Sequence, residues 1–92
     1  GQLLKHYAPS KKFRINVTEP AADELFIAFG AGYPDALMNL SPSGNLREAA
    51  ANLFAFMREA DKNPHYAKMA MAPIPNEGVG LAINDRIRRA SR

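Results

Sequence analysis

Few residues in this chain are of a type that could hold a phosphate, ligate a metal or attack a carbonyl. The stretch IPNEGVGLAINDRIRR, residues 74–89, offers the first candidate. An apolar run, Ala67 to Ile74, leads into Gly78 and Gly80, and an arginine-bearing helical pattern follows. A strand, a glycine turn and a helix together present backbone N–H groups to an anion. Gly78, Gly80 and Asn84 are therefore candidate nucleotide contacts. Spacing and charge argue the other way. A dinucleotide fingerprint asks for a third small residue where Ile83 stands, no Gly-Lys-Ser/Thr follows, and Glu77 and Asp85 would repel phosphates. The ordinary reading is a strand-to-helix turn whose glycines permit positive φ or close packing. Gly30-Ala31-Gly32 also follows a strand pattern, but Tyr33-Pro34 comes next and no helix starts, so it too reads as a turn.

His6 and His65 are the only histidines, and there is no cysteine. A zinc site takes three or four ligands. Neither histidine sits in an HxxxH or HxxE spacing, so no metal site is expected. Lys5-His6-Tyr7 is a basic and aromatic cluster near the N-terminus that could touch a phosphate or a base; equally, it is an arm that packs by its tyrosine. Ser41 and Ser43 lie in a turn before a helix. A nucleophilic serine needs a positioned base, and none is identifiable, so turn stabilisation and capping explain them. Arg86, Arg88, Arg89 and Arg92 could contact an RNA backbone. They also stand where a helix dipole favours cations. No catalytic constellation emerges.

The elements that must position these residues follow from periodicity. Residues 1–12 read as an arm, broken by Pro9, Ser10, Lys11 and Lys12, with Leu3, Leu4 and Tyr7 available to pack. Phe13, Ile15 and Val17 alternate with Arg14 and Asn16, the period of a half-buried strand. Leu25 to Phe29 is a continuous apolar run, Leu37 to Leu40 a short strand candidate, and Ala67 to Ile74 a fourth, in which Met69 and Met71 suit a buried position. Leu46, Ala49, Ala50, Leu53, Phe54, Met57 and Ala60 form one helical stripe. Asn45 can cap that helix, Glu48 occupies the capping-box position, and Asn63-Pro64 ends it. A last helix spans about Leu81 to Ser91, with Ile83, Ile87 and Ala90 on one side. Residues 37–74 thus predict a parallel, right-handed β-α-β unit. The connections 18–23 and 30–36 fall short of the dozen or so residues a parallel crossover needs. The expected fold is a small α/β domain with a mixed, mostly parallel sheet of about four strands and two main helices.

Composition sets the outer bounds. The chain's 92 residues suffice for one domain, and 47 % apolar against 23 % charged is globular rather than disordered. No apolar run approaches the ~20 residues of a membrane span, no signal-peptide layout opens the chain, and the expected compartment is the cytoplasm. A net charge of +3 suits weak attraction to nucleotides or RNA without arguing for either.

Three stretches together resemble the long-form threonylcarbamoyl-AMP synthases. GQLLKHYAP resembles their inter-domain linker, usually written S-P-G-M-x-Y-x-H-Y-A-P. NLSPSGNLREAAANLFAFMREAD resembles the central helix region of their C-terminal domain. IPNEGVGLAINDRIRRAS resembles that domain's closing motif, P-x-x-G-[IV]-G-x-A-I-x-[ND]-R-x-[RK]-[RK]-A. The resemblance implies a Rossmann-like accessory domain at 13–92 and a linker at 1–12. A YrdC-type catalytic domain would lie upstream and carry the reaction: threonylcarbamoyl-AMP and pyrophosphate from threonine, bicarbonate and ATP, for threonylcarbamoyladenosine in tRNA. It further implies that Lys5, His6 and Tyr7 are lid contacts to ATP or the adenylate. His6, Tyr7, Ala8 and Pro9 match the linker motif; Gln2 and Leu4 depart from its methionine and tyrosine. The segment alone would hold no cofactor and no catalytic residue, while the whole enzyme would use ATP with Mg2+. The implied partners are the catalytic domain and tRNA or tRNA-modification proteins, with no membrane. The chain lacks the inter-strand helices of longer members between its first three strands, which predicts a smaller or differently connected sheet.

Overall fold

A computed structural model describes residues 8–91. Its elements run β1 (Lys12–Arg14), β2 (Glu24–Ala28), β3 (Met38–Asn39), α1 (Leu46–Lys62), β4 (Lys68–Met71) and α2 (Val79–Ala90). The strands form one sheet in the order β1-β4-β2-β3, and every neighbouring pair is parallel. The small α/β domain expected from periodicity is the fold found, with four strands and two helices. Among the described residues no helix is long and apolar enough to cross a membrane.

The helices start and stop for local reasons. The Asn45 side chain accepts from the Glu48 N–H at 2.9 Å, which satisfies one of the orphan donors of α1. The last turn of α1 closes when the Asn63 N–H bonds Ala60 O at 3.2 Å, and Pro64 keeps Asn63 out of helical geometry (ψ 120°). In between, Ala49, Leu53, Met57 and Ala60 are buried along one face.

Register decides which strand residues meet those helices. Phe13, Met69 and Leu25 lie abreast, and Met71, Ile27 and Met38 form another row. All six join one core cluster with Leu53 and Met57 of α1 and Ile83 and Ile87 of α2. Both helices therefore cover the same face of the sheet. Successive strand residues alternate faces, so Arg14, Ala70 and Phe26 stand abreast on the opposite face, which carries no helix among the described residues.

The sheet departs from expectation in having no antiparallel pair. Two features let short connections serve parallel strands. β1 is only three residues long and Lys12 lies level with Glu24 through Lys68, so residues 15–23 need climb back by only two residues while crossing β4, about 10 Å sideways. β3 is offset so that Met38 pairs with Ile27, one residue before the end of β2. The chain from β2 to β3 thus climbs back by about one residue instead of a whole strand, and no helix is needed. The predicted β-α-β unit exists as β3-α1-β4, with β2 between its strands.

Candidate functional site

The glycine turn forms where β4 passes its apolar side chains to the core and the chain doubles into α2. Gly78 adopts φ 52°, ψ −131°, a region nearly closed to residues with a Cβ. Gly80 is buried, and a Cβ built there would lie 1.9 Å from the backbone oxygen of Pro75. Only glycine lets the first turn of α2 sit against that carbonyl. The turn is closed by Gly80 N–H donating to Glu77 O at 2.8 Å and Leu81 N–H to Gly78 O at 3.1 Å. Asn84 donates its amide to Ile74 O at 2.9 Å and to Asn76 Oδ1 at 3.3 Å, tying α2 to the end of the preceding strand segment. The structure brings Gly78, Gly80 and Asn84 together, and gives each an internal task in seating α2.

The arginines lie at the other end of α2. Arg88 and Arg89 both approach Asp85, at 3.9 and 3.3 Å, and Arg86 leans on Ala82 O at 3.5 Å. The two ion pairs are solvent-exposed, so each contributes little to stability and leaves its cation accessible. Arg92 lies outside the described residues.

Ser41 is fully buried, and its hydroxyl is committed. It accepts from the Asn45 N–H at 2.8 Å and donates to Glu48 Oε1 at 2.5 Å. Asn39 bridges Gly30 O at 3.0 Å and the Ser41 N–H at 2.9 Å. The serine is part of the cap that starts α1. His65 is exposed, and among the described residues no group of three or more His, Asp or Glu side chains is arranged to hold a metal.

Two arrangements were not apparent from spacing. The first is a clamp between Ser10–Lys11 and the end of α1. Asp61, at the end of α1, accepts the Ser10 N–H at 3.1 Å, the Ser10 hydroxyl at 3.2 Å and the Lys11 N–H at 3.0 Å. Lys11 Nζ donates to Ala60 O at 2.9 Å and also to Asn63 O. A lysine on the last carbonyls of a helix matches the negative end of its dipole. The cluster Lys5, His6 and Tyr7 precedes this clamp and lies outside the described residues.

The second is an ion pair on the face of the sheet opposite α1 and α2. Glu24 is 5 % exposed and bonded by Arg14 through both oxygens, Nε to Oε2 and Nη2 to Oε1 at 2.6 Å each, with the Ala21 N–H adding a third bond at 2.8 Å. The Arg14 hydrogen bonds outweigh burial and hold the carboxyl down at about 2. Arg14 reaches Glu24 across β4, where Ala70 is small enough to pass over. Parity along the strands was the available signal, but it cannot be used before the strand order is known.

Comparison with known proteins adds one finding. The family described as threonylcarbamoyl-AMP synthase, C-terminal domain, matches residues 1–92. No curated protein and no solved structure matches the chain.

Proposed function

Because the chain belongs to the threonylcarbamoyl-AMP synthase C-terminal domain family, we propose that it is the accessory domain and lid-bearing linker of an enzyme making threonylcarbamoyl-AMP. That enzyme would use threonine, bicarbonate and ATP, release pyrophosphate, and serve threonylcarbamoyladenosine formation in tRNA in the cytoplasm. The family match over 1–92, arm included, carries the reading. On it, residues 1–12 are the linker, 13–92 the domain, and the chemistry belongs to a catalytic domain upstream.

The clamp supports a lid role. A segment that closes over a cleft needs one fixed end, and Asp61 supplies it by holding the Ser10 and Lys11 amides. Beyond that root, Lys5 would give a charge-assisted hydrogen bond to phosphate, and His6 and Tyr7 would cover the adenylate. Closure excludes water and protects a hydrolysable carbamoyl intermediate. ATP and its Mg2+ would be bound in the catalytic domain upstream.

The test is Asp61→Ala in the two-domain enzyme. Freeing the root should lower threonylcarbamoyl-AMP formed per ATP consumed; an unchanged ratio and rate would refute the lid role. The 92-residue chain with ATP, threonine and bicarbonate should release no pyrophosphate.

A second reading is a nucleotide-binding or tRNA-docking module without catalysis. The exposed, weakly paired Arg88 and Arg89 favour its RNA form. It requires tRNA binding that weakens with salt and with Arg86, Arg88 and Arg89 replaced by alanine; binding indifferent to both removes it.

A further inference from the structure

Most cations of the two helices have a local reason to stand where they do. Lys62 lies in the last turn of α1, at the negative end of its dipole. Arg88 and Arg89 approach Asp85, and Arg86 leans on Ala82 O. Arg47 and Arg58 have no such reason. Arg47 is in the first turn of α1, where the dipole disfavours a positive charge. It is exposed and has no ion-pair partner among the described residues. Arg58 is exposed too, and its guanidinium lies over the Phe54 ring, 5.4 Å from the centroid, instead of beside a carboxylate.

The two arginines share one side of α1. Arg58 follows Arg47 by eleven residues, about three helical turns or ~16 Å along the axis. That side turns away from the buried row of Ala49, Leu53, Met57 and Ala60. The carboxylates of α1 do little to cancel it. Glu48 accepts from the Ser41 hydroxyl, and Asp61 from the Ser10 and Lys11 amides. Glu59 is next to Arg58 in sequence, but points about 100° round the helix. Both helices lie on one face of the sheet and pack against each other, so their exposed sides make up one outer layer. Arg88 and Arg89 of α2 stand on that layer, 64 % and 48 % exposed.

The chemistry of this layer fits RNA better than an acidic protein. Its charge is mainly arginine, whose planar fork meets phosphate through paired donors. The charges are spread along a line, as a repeating phosphate chain requires. Arg58 is steadied by a ring, and guanidinium planes stack unpaired RNA bases.

We propose that the outer side of α1, at Arg47 and Arg58, is an RNA-binding surface continuous with Arg88 and Arg89 of α2. The proposal rests on the tRNA-docking reading and deepens it: the contact is two helices wide and includes charges for which the fold itself has no use.

Fluorescence anisotropy of a labelled tRNA transcript with the 92-residue chain, over a range of salt, tests this. Arg47→Gln with Arg58→Gln should weaken binding by about tenfold and lower the salt slope by about two. Glu59→Gln, on the adjacent side of the same helix, should bind at least as tightly as the parent. Circular dichroism should show both variants folded, as expected for exposed positions. Unchanged affinity and slope in the double variant, with binding lost in Arg88→Gln with Arg89→Gln, would overturn the proposal and leave the tRNA reading standing. A parent chain that binds no tRNA would overturn both. Polyglutamate that displaces the labelled tRNA as effectively, charge for charge, as unlabelled RNA would assign the surface to an acidic protein and overturn the proposal as well.

Discussion

Gly80→Ala places two well-known tendencies in opposition. Alanine is favoured over glycine inside a helix by about 1 kcal/mol, so propensity alone predicts a stabilised protein. The structure predicts the reverse. The new Cβ would stand 1.9 Å from Pro75 O and 3.1 Å from Pro75 C, where a relaxed carbon–oxygen contact is about 3.3 Å. α2 must therefore retreat by roughly 1.4 Å, and the obstacle is backbone, which cannot rotate aside. Ile83 and Ile87, each 1 % exposed, would be drawn out of close packing. The Asn84 bond to Ile74 O would stretch from 2.9 Å. Overpacking of this kind costs about 1–3 kcal/mol, and a lost hydrogen bond about 0.5–1.5 kcal/mol. Less the propensity gain, the net loss is about 0.5–3.5 kcal/mol, centred near 2. At about 4–8 °C per kcal/mol for a domain of this size, Tm falls by on the order of 10 °C. Thermal unfolding followed by far-UV circular dichroism reads this directly. Ala82→Gly, at an exposed position of the same helix, calibrates propensity and should cost about 1 kcal/mol. A Gly80→Ala protein that melts higher than the parent would refute the close-approach argument.

Other expectations concern charge and capping. The Glu24 carboxyl is lowered from 4.5 to about 2, so its contribution is complete above about pH 5 and is lost as pH falls toward 2; stability should decline over that window, and Glu24→Gln should flatten that part of the pH profile. Ser41→Ala removes a buried hydroxyl bonded to both Asn45 N and Glu48, and should cost about 1–2 kcal/mol in urea unfolding with an unchanged m-value. Asp61→Ala should speed hydrogen exchange at the Ser10 and Lys11 amides, whose acceptor it removes, while core amides of β2 and β4 stay protected.

The elements were legible because their local signals agree. In α1 a complete apolar stripe, Asn45 with Glu48 at the start and Asn63-Pro64 at the end all point to one helix, and it spans Leu46–Lys62. α2 begins at Val79, two residues before the position read from Leu81, because its N-cap is a glycine with no side-chain bond to betray it. What sequence could not show is adjacency. β4 inserts between β1 and β2 although it is the last strand in the chain. That order, with the short return from Arg14 to Glu24, puts Arg14 on the same face as Glu24 across Ala70. The glycine turn is an intermediate case: close packing was a stated reading for Gly78 and Gly80, but the partner, Pro75 O, is visible only in three dimensions. The lid role proposed for Lys5, His6 and Tyr7 rests on resemblance alone, and these residues lie outside the described ones.

The clamp at the arm's root also has a mechanical meaning. β1 is an edge strand of three residues, Lys12–Arg14, held to a single neighbour. Tension applied directly to its first residue would unzip it one bond at a time, the weakest way to load a sheet. Ser10 and Lys11 intercept that tension and pass it into Asp61 and the last carbonyls of α1. A pull on the chain ahead of Ser10 is thereby borne by several hydrogen bonds acting together at the end of α1. Force entering the chain ahead of Ser10 therefore reaches the helix before it reaches the sheet.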